Sequence, residues 1–145
     1  MKKHIISIAY ILVISIFMSC EQRISLKETG LTGINSLSYT DVIFKSNRDT
    51  VLVSKFNGEV LEIIKDKNTL KKHLIINLND EIYSLAYNHI DNIIYASTLN
   101  NGIVVIDEKK ETVEKTLPIK NKWATTVSYD QNERLLLASG YTEIP

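Results

Sequence analysis

Short apolar segments return along this chain at a fixed interval, and that interval narrows the fold more than any other feature. Ile82-Tyr-Ser-Leu-Ala-Tyr87 leads through a polar turn to Asn92-Ile-Ile-Tyr-Ala-Ser97. Asn101-Gly102, Ile103-Val-Val-Ile106, an Asp-Glu-Lys-Lys turn and Thr112-Val-Glu-Lys-Thr-Leu117 follow. Trp123-Ala-Thr-Thr-Val-Ser-Tyr129 and Arg134-Leu-Leu-Leu-Ala-Ser139 then restart the cycle. Tyr129 follows Tyr87 by 42 residues, and Ser139 follows Ser97 by 42. A period of this size built from short strands is the signature of a four-stranded propeller blade. The expected fold class is all-β, with consecutive four-stranded antiparallel propeller-type blades.

An earlier copy opens the repeat region. Ile34-Asn-Ser-Leu-Ser-Tyr39 matches Ile82-Tyr-Ser-Leu-Ala-Tyr87 at four of six positions, which makes Tyr39 the counterpart of Tyr87. Thr50–Ser54, Val60–Ile64 and Leu74–Leu78 are the next three expected strands, with Asn57-Gly58 as a hairpin turn. Asn-Gly suits such a turn because both central residues of a type I′ turn need positive φ. On this alignment Tyr39 and Ser54 are 15 residues apart, against 10 from Tyr87 to Ser97 and from Tyr129 to Ser139. The first unit is therefore expected to carry an insertion in a loop around Lys45 to Asp49. The expected units are 34–80, 81–121 and a partial third, 122–145. Propellers close with about 4 to 8 blades, so the ring is expected to be incomplete in this chain. A shortened chain is the preferred explanation, with assembly alongside other chains or an abridged sheet as alternatives.

Ile94-Tyr-Ala-Ser-Thr98, Gly102-Ile-Val-Val-Ile-Asp107 and Glu111-Thr-Val-Glu-Lys-Thr-Leu-Pro-Ile119 together resemble the YVTN, WD-like type of propeller repeat. Trp123 to Gly140 looks like the family's next opening strand, turn and second strand, with Asp130-Gln-Asn-Glu133 replacing the usual Pro-Asp-Gly-Lys. The resemblance covers Ile34 to Gly140. It implies a fold and not an activity, because propellers host many functions.

The first twenty residues read as an address. Lys2 and Lys3 precede an uncharged, largely apolar run from Ile5 to Met18, which Ser19-Cys20 closes. A basic head, a short apolar core and a small residue at the cut make an export signal. A spanning helix needs about 20 apolar residues, which makes a permanent span the weaker reading. Phe17-Met-Ser-Cys20 resembles the lipobox of bacterial lipoproteins, with Phe17 where Leu usually stands. The resemblance implies that residues 1–19 are removed, that Cys20 is lipidated, and that the protein is an exported, membrane-anchored lipoprotein on the periplasmic face or cell surface. A lipidated cysteine of this kind carries several acyl chains, and more than one chain gives stable anchoring. Residues 20–33 are then expected to be the lipidated cysteine and a tether. The rival readings are a lone thiol after an ordinary signal and an uncleaved anchor.

Charge and composition exclude several function classes. Seventeen basic residues balance seventeen acidic ones, and no basic stripe with interleaved aromatics occurs, so no nucleic-acid partner is expected. A single cysteine rules out an internal disulfide framework and a thiolate-cluster zinc site. His4, His73 and His89 lie far apart with no His-x-x-x-His pair, so neither a metal site nor another cofactor is expected. Asp80, Glu81, Asp91, Asp107, Glu108 and Asp130 all fall in turns, where carboxylates commonly accept backbone N–H groups. Ser54, Ser97 and Ser139 recur at one strand position, which fits blade packing better than a nucleophile. No catalytic residue is assigned. Trp123 is the one ligand-facing candidate, weighed against a space-filling role between blades; Lys65 to Lys72 and Lys109-Lys110 read as solvated turns. The expected function is binding or scaffolding, with a protein, peptide or glycan recognised through the blade loops. The alternatives are the front part of a propeller enzyme, for instance a lactonase-like hydrolase, and a non-functional fragment.

Overall fold

The computed structural model describes residues 39–140 apart from Arg48, Asn68 and Asn121. Residues 1–19, Cys20, the tether and the opening of the first unit, residues 34–38, lie outside the described residues. Ten strands and no helix make up the described chain. Strands β1 (Tyr39–Phe44), β2 (Thr50–Lys55), β3 (Glu59–Asp66) and β4 (Thr69–Asn77) form one antiparallel sheet in chain order. The second sheet holds β5 (Ile82–Asn88), β6 (Ile93–Thr98), β7 (Ile103–Asp107) and β8 (Thr112–Leu117) in the same order. A third, two-stranded sheet pairs β9 (Ala124–Asp130) with β10 (Leu135–Gly140). These are consecutive propeller-type blades, and over the described residues they do not close into a ring.

Alternation along each strand sends side chains to opposite faces, so a sheet packed on both sides reads as a continuous apolar run. The middle sheet is such a case. Ile94, Ala96, Val104 and Ile106 pack with Leu85 against Leu52, Val60 and Ile75 of the first sheet. Ala86 and Ile103 turn the other way, onto Ala124 and Val127 of the third. The Ile103-Val-Val-Ile106 run is apolar throughout because both of its faces are covered. The Leu135-Leu-Leu137 run differs: Leu136 packs toward the middle sheet, while Leu135 and Leu137 are exposed. The innermost strands approach most closely, with β5 lying against β1 on one side and β9 on the other.

The register corrects the alignment of the first copy. Ser54 lies opposite Asp41, Ser97 opposite Ser84 and Ser139 opposite Thr126. Phe44 faces Val51 as Tyr87 faces Ile94 and Tyr129 faces Leu136. Phe44, not Tyr39, is therefore the counterpart of the two tyrosines, and Tyr39 lies at the strand's start opposite Lys55. From Phe44 to Ser54 is 10 residues, as in the other copies, so the expected insertion at Lys45 to Asp49 does not exist. Four chance identities in Ile34–Tyr39 outweighed Asp41-Val-Ile-Phe44, which keeps the alternation but no identity with Ser84-Leu-Ala-Tyr87.

The lysine-rich stretch is a second correction. β3 runs on to Asp66 and β4 begins at Thr69, so only the tip around Lys67, with φ of 54°, is a turn. β4 is an outer strand, and Lys71, Lys72 and His73 are exposed along it. Charge marks exposure here, not the absence of a strand.

Candidate functional site

With the corrected register, equivalent positions of the three sheets converge on one cleft. Its volume is about 350 Å³, and it opens where β1, β5 and β9 end and their turns begin. Ile43, Ala86 and Ser128 are one repeat position; Ser46, His89 and Gln131 are another. Val127 and Leu85 complete an apolar wall, while Ser46, His89, Ser128 and Gln131 make a mostly uncharged polar rim. His89 and Ser128 are exposed to solvent.

Side chains stitch together the inner edges beneath this cleft. Leu85 N donates to Asp41 Oδ2 at 2.8 Å, and Ser84 Oγ donates to the same oxygen at 3.1 Å. Gln131 Nε2 donates to the Tyr87 carbonyl at 2.5 Å. An edge strand left bare invites pairing with another chain; here part of the β5 edge is already satisfied from both neighbouring sheets. Gln131 Oε1 is buried with no hydrogen-bond partner, a polar cost carried to hold the amide in place.

Two polar clusters brace the walls. Between the first and second sheets, Lys45 Nζ donates to Glu62 Oε1 at 2.8 Å and to Glu108 Oε1 at 2.6 Å. The Tyr87 hydroxyl donates to Glu108 Oε2 at 2.7 Å. Burial, the larger effect, lowers the Lys45 pKa, but the hydrogen bonds and charges of Glu108 and Glu62 together hold it above the usual lysine value. Burial first, then the bond to Glu108, push the Tyr87 phenol far above its usual range. Between the second and third sheets, Tyr95 stacks on Tyr129 at 5.4 Å, and Asn88 Nδ2 donates to the Tyr129 hydroxyl at 3.1 Å. Arg134 Nη2 bonds Asp91 Oδ2 at 3.0 Å across the same seam.

The recurring serines bond within their own sheets: Ser54 to Thr40, Ser97 to the Ser84 carbonyl, and Ser139 to Thr125 and Thr126. Asp107 and Asp130 are the last residues of β7 and β9, not turn residues, and accept backbone N–H groups from the turns that follow them. His73 lies away from the cleft, bonded to Glu111 at 2.8 Å. Among the described residues no three His, Cys, Asp or Glu side chains gather closely enough to hold a metal ion. Trp123 is half-buried and tilted against Tyr83 at 5.9 Å, outside this cleft. Cys20 lies outside the described residues. Ser46 and Gln131 are not singled out by the sequence, and His89 enters only as one of three scattered histidines, not as a rim residue. The signal was available: each stands two places after the recurring aromatic, once Phe44 is recognised as that aromatic.

The sequence matches no family model, and no curated protein matches it.

Proposed function

We propose that this chain is a lipid-anchored, extracytoplasmic recognition module that takes a segment of a polypeptide partner at the cleft formed by successive blades. One observation carries the reading: the same two repeat positions of all three sheets meet there, with different polar residues at the rim of a shared apolar wall. A wall held rigid by its own sheets and rimmed with variable polar groups is the usual design of a binding site. The rim presents no cationic ring, which favours an uncharged segment over a phosphorylated or strongly acidic one. The role of the membrane rests on the sequence of residues 1–20: a lipid on Cys20 would confine the cleft near the bilayer and raise its effective concentration for membrane-bound partners.

A photo-crosslinking amino acid at His89 or Ser128, in cells, tests the recognition surface, with Thr112 on β8 as control. A discrete adduct at both cleft positions and none at Thr112 is expected. Adducts of equal yield at all three positions, or at none, would overturn the reading. For the anchor, labelled palmitate should enter the wild type and be lost in Cys20→Ala; label retained by the variant refutes lipidation there.

A further inference from the structure

The opposite end of β5 carries a second cleft. Phe56 in the β2–β3 turn, Tyr83 in β5 and Trp123 just before β9 form a row of rings across the three sheets. Phe56 meets Tyr83 edge-on, with centroids 6.0 Å apart at 85°. The Tyr83 hydroxyl is fixed in turn by donating to Glu81 Oε2 at 2.9 Å. Phe56 is therefore held in place yet remains 37% exposed. It borders a cleft of about 370 Å³ that Asn57, Asn79, Asp80, Glu81 and Asn100 also line.

The polar groups there are oriented and only partly used. Asp80 is buried, and its carboxylate accepts Asn100 N at 3.1 Å, Asn100 Nδ2 at 2.8 Å and Asn101 Nδ2 at 2.8 Å. With its amide NH₂ engaged by Asp80, Asn100 presents Oδ1 as an acceptor. Asn57 Oδ1 accepts the Glu59 N–H at 3.3 Å, which leaves its NH₂ as a donor. Glu81 has one carboxylate oxygen on Tyr83 and the other unspent. Asn79, exposed at φ 53°, brings a further amide on a tight turn.

We propose that this cleft binds a neutral saccharide, with one face of a sugar ring stacked on Phe56. A pyranose carries C–H groups on a face and hydroxyls around its girdle. The C–H groups are drawn to the negative face of an aromatic ring. The hydroxyls each donate and accept, and planar amide and carboxylate groups beside the ring match that dual demand. Asp80 and Glu81 make the cleft unfavourable for anionic sugars. The site shares no lining residue with the cleft at the other end of β5 and does not depend on what is bound there.

Saturation-transfer NMR on the full chain in a non-glycosidic detergent, with chitotriose, maltotriose and cellotriose as probes, tests this. At least one probe should receive saturation on its ring C–H protons, and the emission of Trp123, two rings from the site, should shift. Phe56→Ala should weaken binding about tenfold or more, whereas Phe56→Tyr keeps the ring and should retain it. Asn79→Gly keeps the left-handed turn and removes the amide, so a loss of about threefold to tenfold is expected. A His89 variant should bind as the wild type does, which separates this site from the polypeptide cleft. Absence of transfer to all three sugars, undiminished binding in a folded Phe56→Ala protein, or equal loss in the His89 variant would each overturn the proposal.

Discussion

Lys45 shows how one side chain can tie two sheets together. Its ammonium stands between Glu62 on β3 and Glu108 after β7, each largely shielded from solvent, with the Tyr87 hydroxyl on the far oxygen of Glu108. Removing the cation leaves two carboxylates facing each other at a seam, which costs more than the pair contributes when intact. Lys45→Met is expected to lose about 2 kcal/mol in urea unfolding. Adding Glu62→Gln should recover part of that loss, and no recovery would mean that the carboxylates do not repel. The pH dependence has a definite sign. Lys45 and Tyr87 both hold a proton more tightly folded than unfolded. They therefore stabilise the fold fully below their unfolded values and lose that contribution as pH rises from about 10 through the folded ones. Tyr87→Phe should cost about 1 kcal/mol at neutral pH and flatten the alkaline decline of the urea midpoint. A variant with the wild-type slope would show that Tyr87 does not titrate with folding. Asp80 acts on the acid side: burial raises its pKa, and the amides of Asn100 and Asn101 outweigh that, holding it below the usual carboxylate range.

Among the elements, the strands of the second and third sheets were legible almost to the residue, because the apolar segments recur there at a constant interval between short polar turns. Thr112–Leu117 has the bounds expected of it, and Ile82–Tyr87 falls one residue short of β5. The first strand was misplaced because identity was followed where alternation should have been: Asp41-Val-Ile-Phe44 has the right faces with different residues. The outer strand β4 was cut short because its lysines read as a turn, although an outer strand has a face that water covers. The rim positions of the cleft were legible only through the corrected register, and the cavity itself was not. It is made of positions 43 and 42 residues apart in turn, and only the stacking of the sheets brings them to one mouth. The β6–β7 turn allows a sharper test of the repeat geometry. Gly102 has φ of 72°, and a Cβ there would sit 2.6 Å from the Leu117 carbonyl oxygen. Gly102→Ala combines a left-handed backbone with a clash against the end of β8, and should cost about 2 kcal/mol or more. Thermal unfolding measures it; a Tm within about a degree of wild type would mean that the turn relaxes freely.

For the whole molecule, the decisive property is that the middle sheet is flanked by a sheet on each face, whereas among the described residues the third sheet leaves its far face open. Leu52, Ile82, Ile94 and Ile106 are shielded completely, whereas Leu135 and Leu137, on the far face of the third sheet, stand more than half exposed. Local stability follows buried apolar contact, so opening free energies should fall from the middle of the stack outward. Native-state hydrogen exchange on the full chain resolves this strand by strand. Amides shared by β6 and β7 should exchange slowest, through global unfolding, and those between β9 and β10 faster, through opening of the third sheet alone. Ile106→Ala removes a side chain packed into both four-stranded sheets and should cost about 3 kcal/mol, lowering protection in β2, β3, β6 and β7 together. Leu136→Ala, placed where the third sheet meets the second, should lower protection in β9 and β10 and leave β2 and β3 unchanged. The two patterns have to separate for the stack to be a row of blades coupled only through neighbours. If Leu136→Ala accelerated exchange in β2 as much as in β9, the three sheets would be a single cooperative unit, and the division into blade-like layers would describe their shape without describing their energetics.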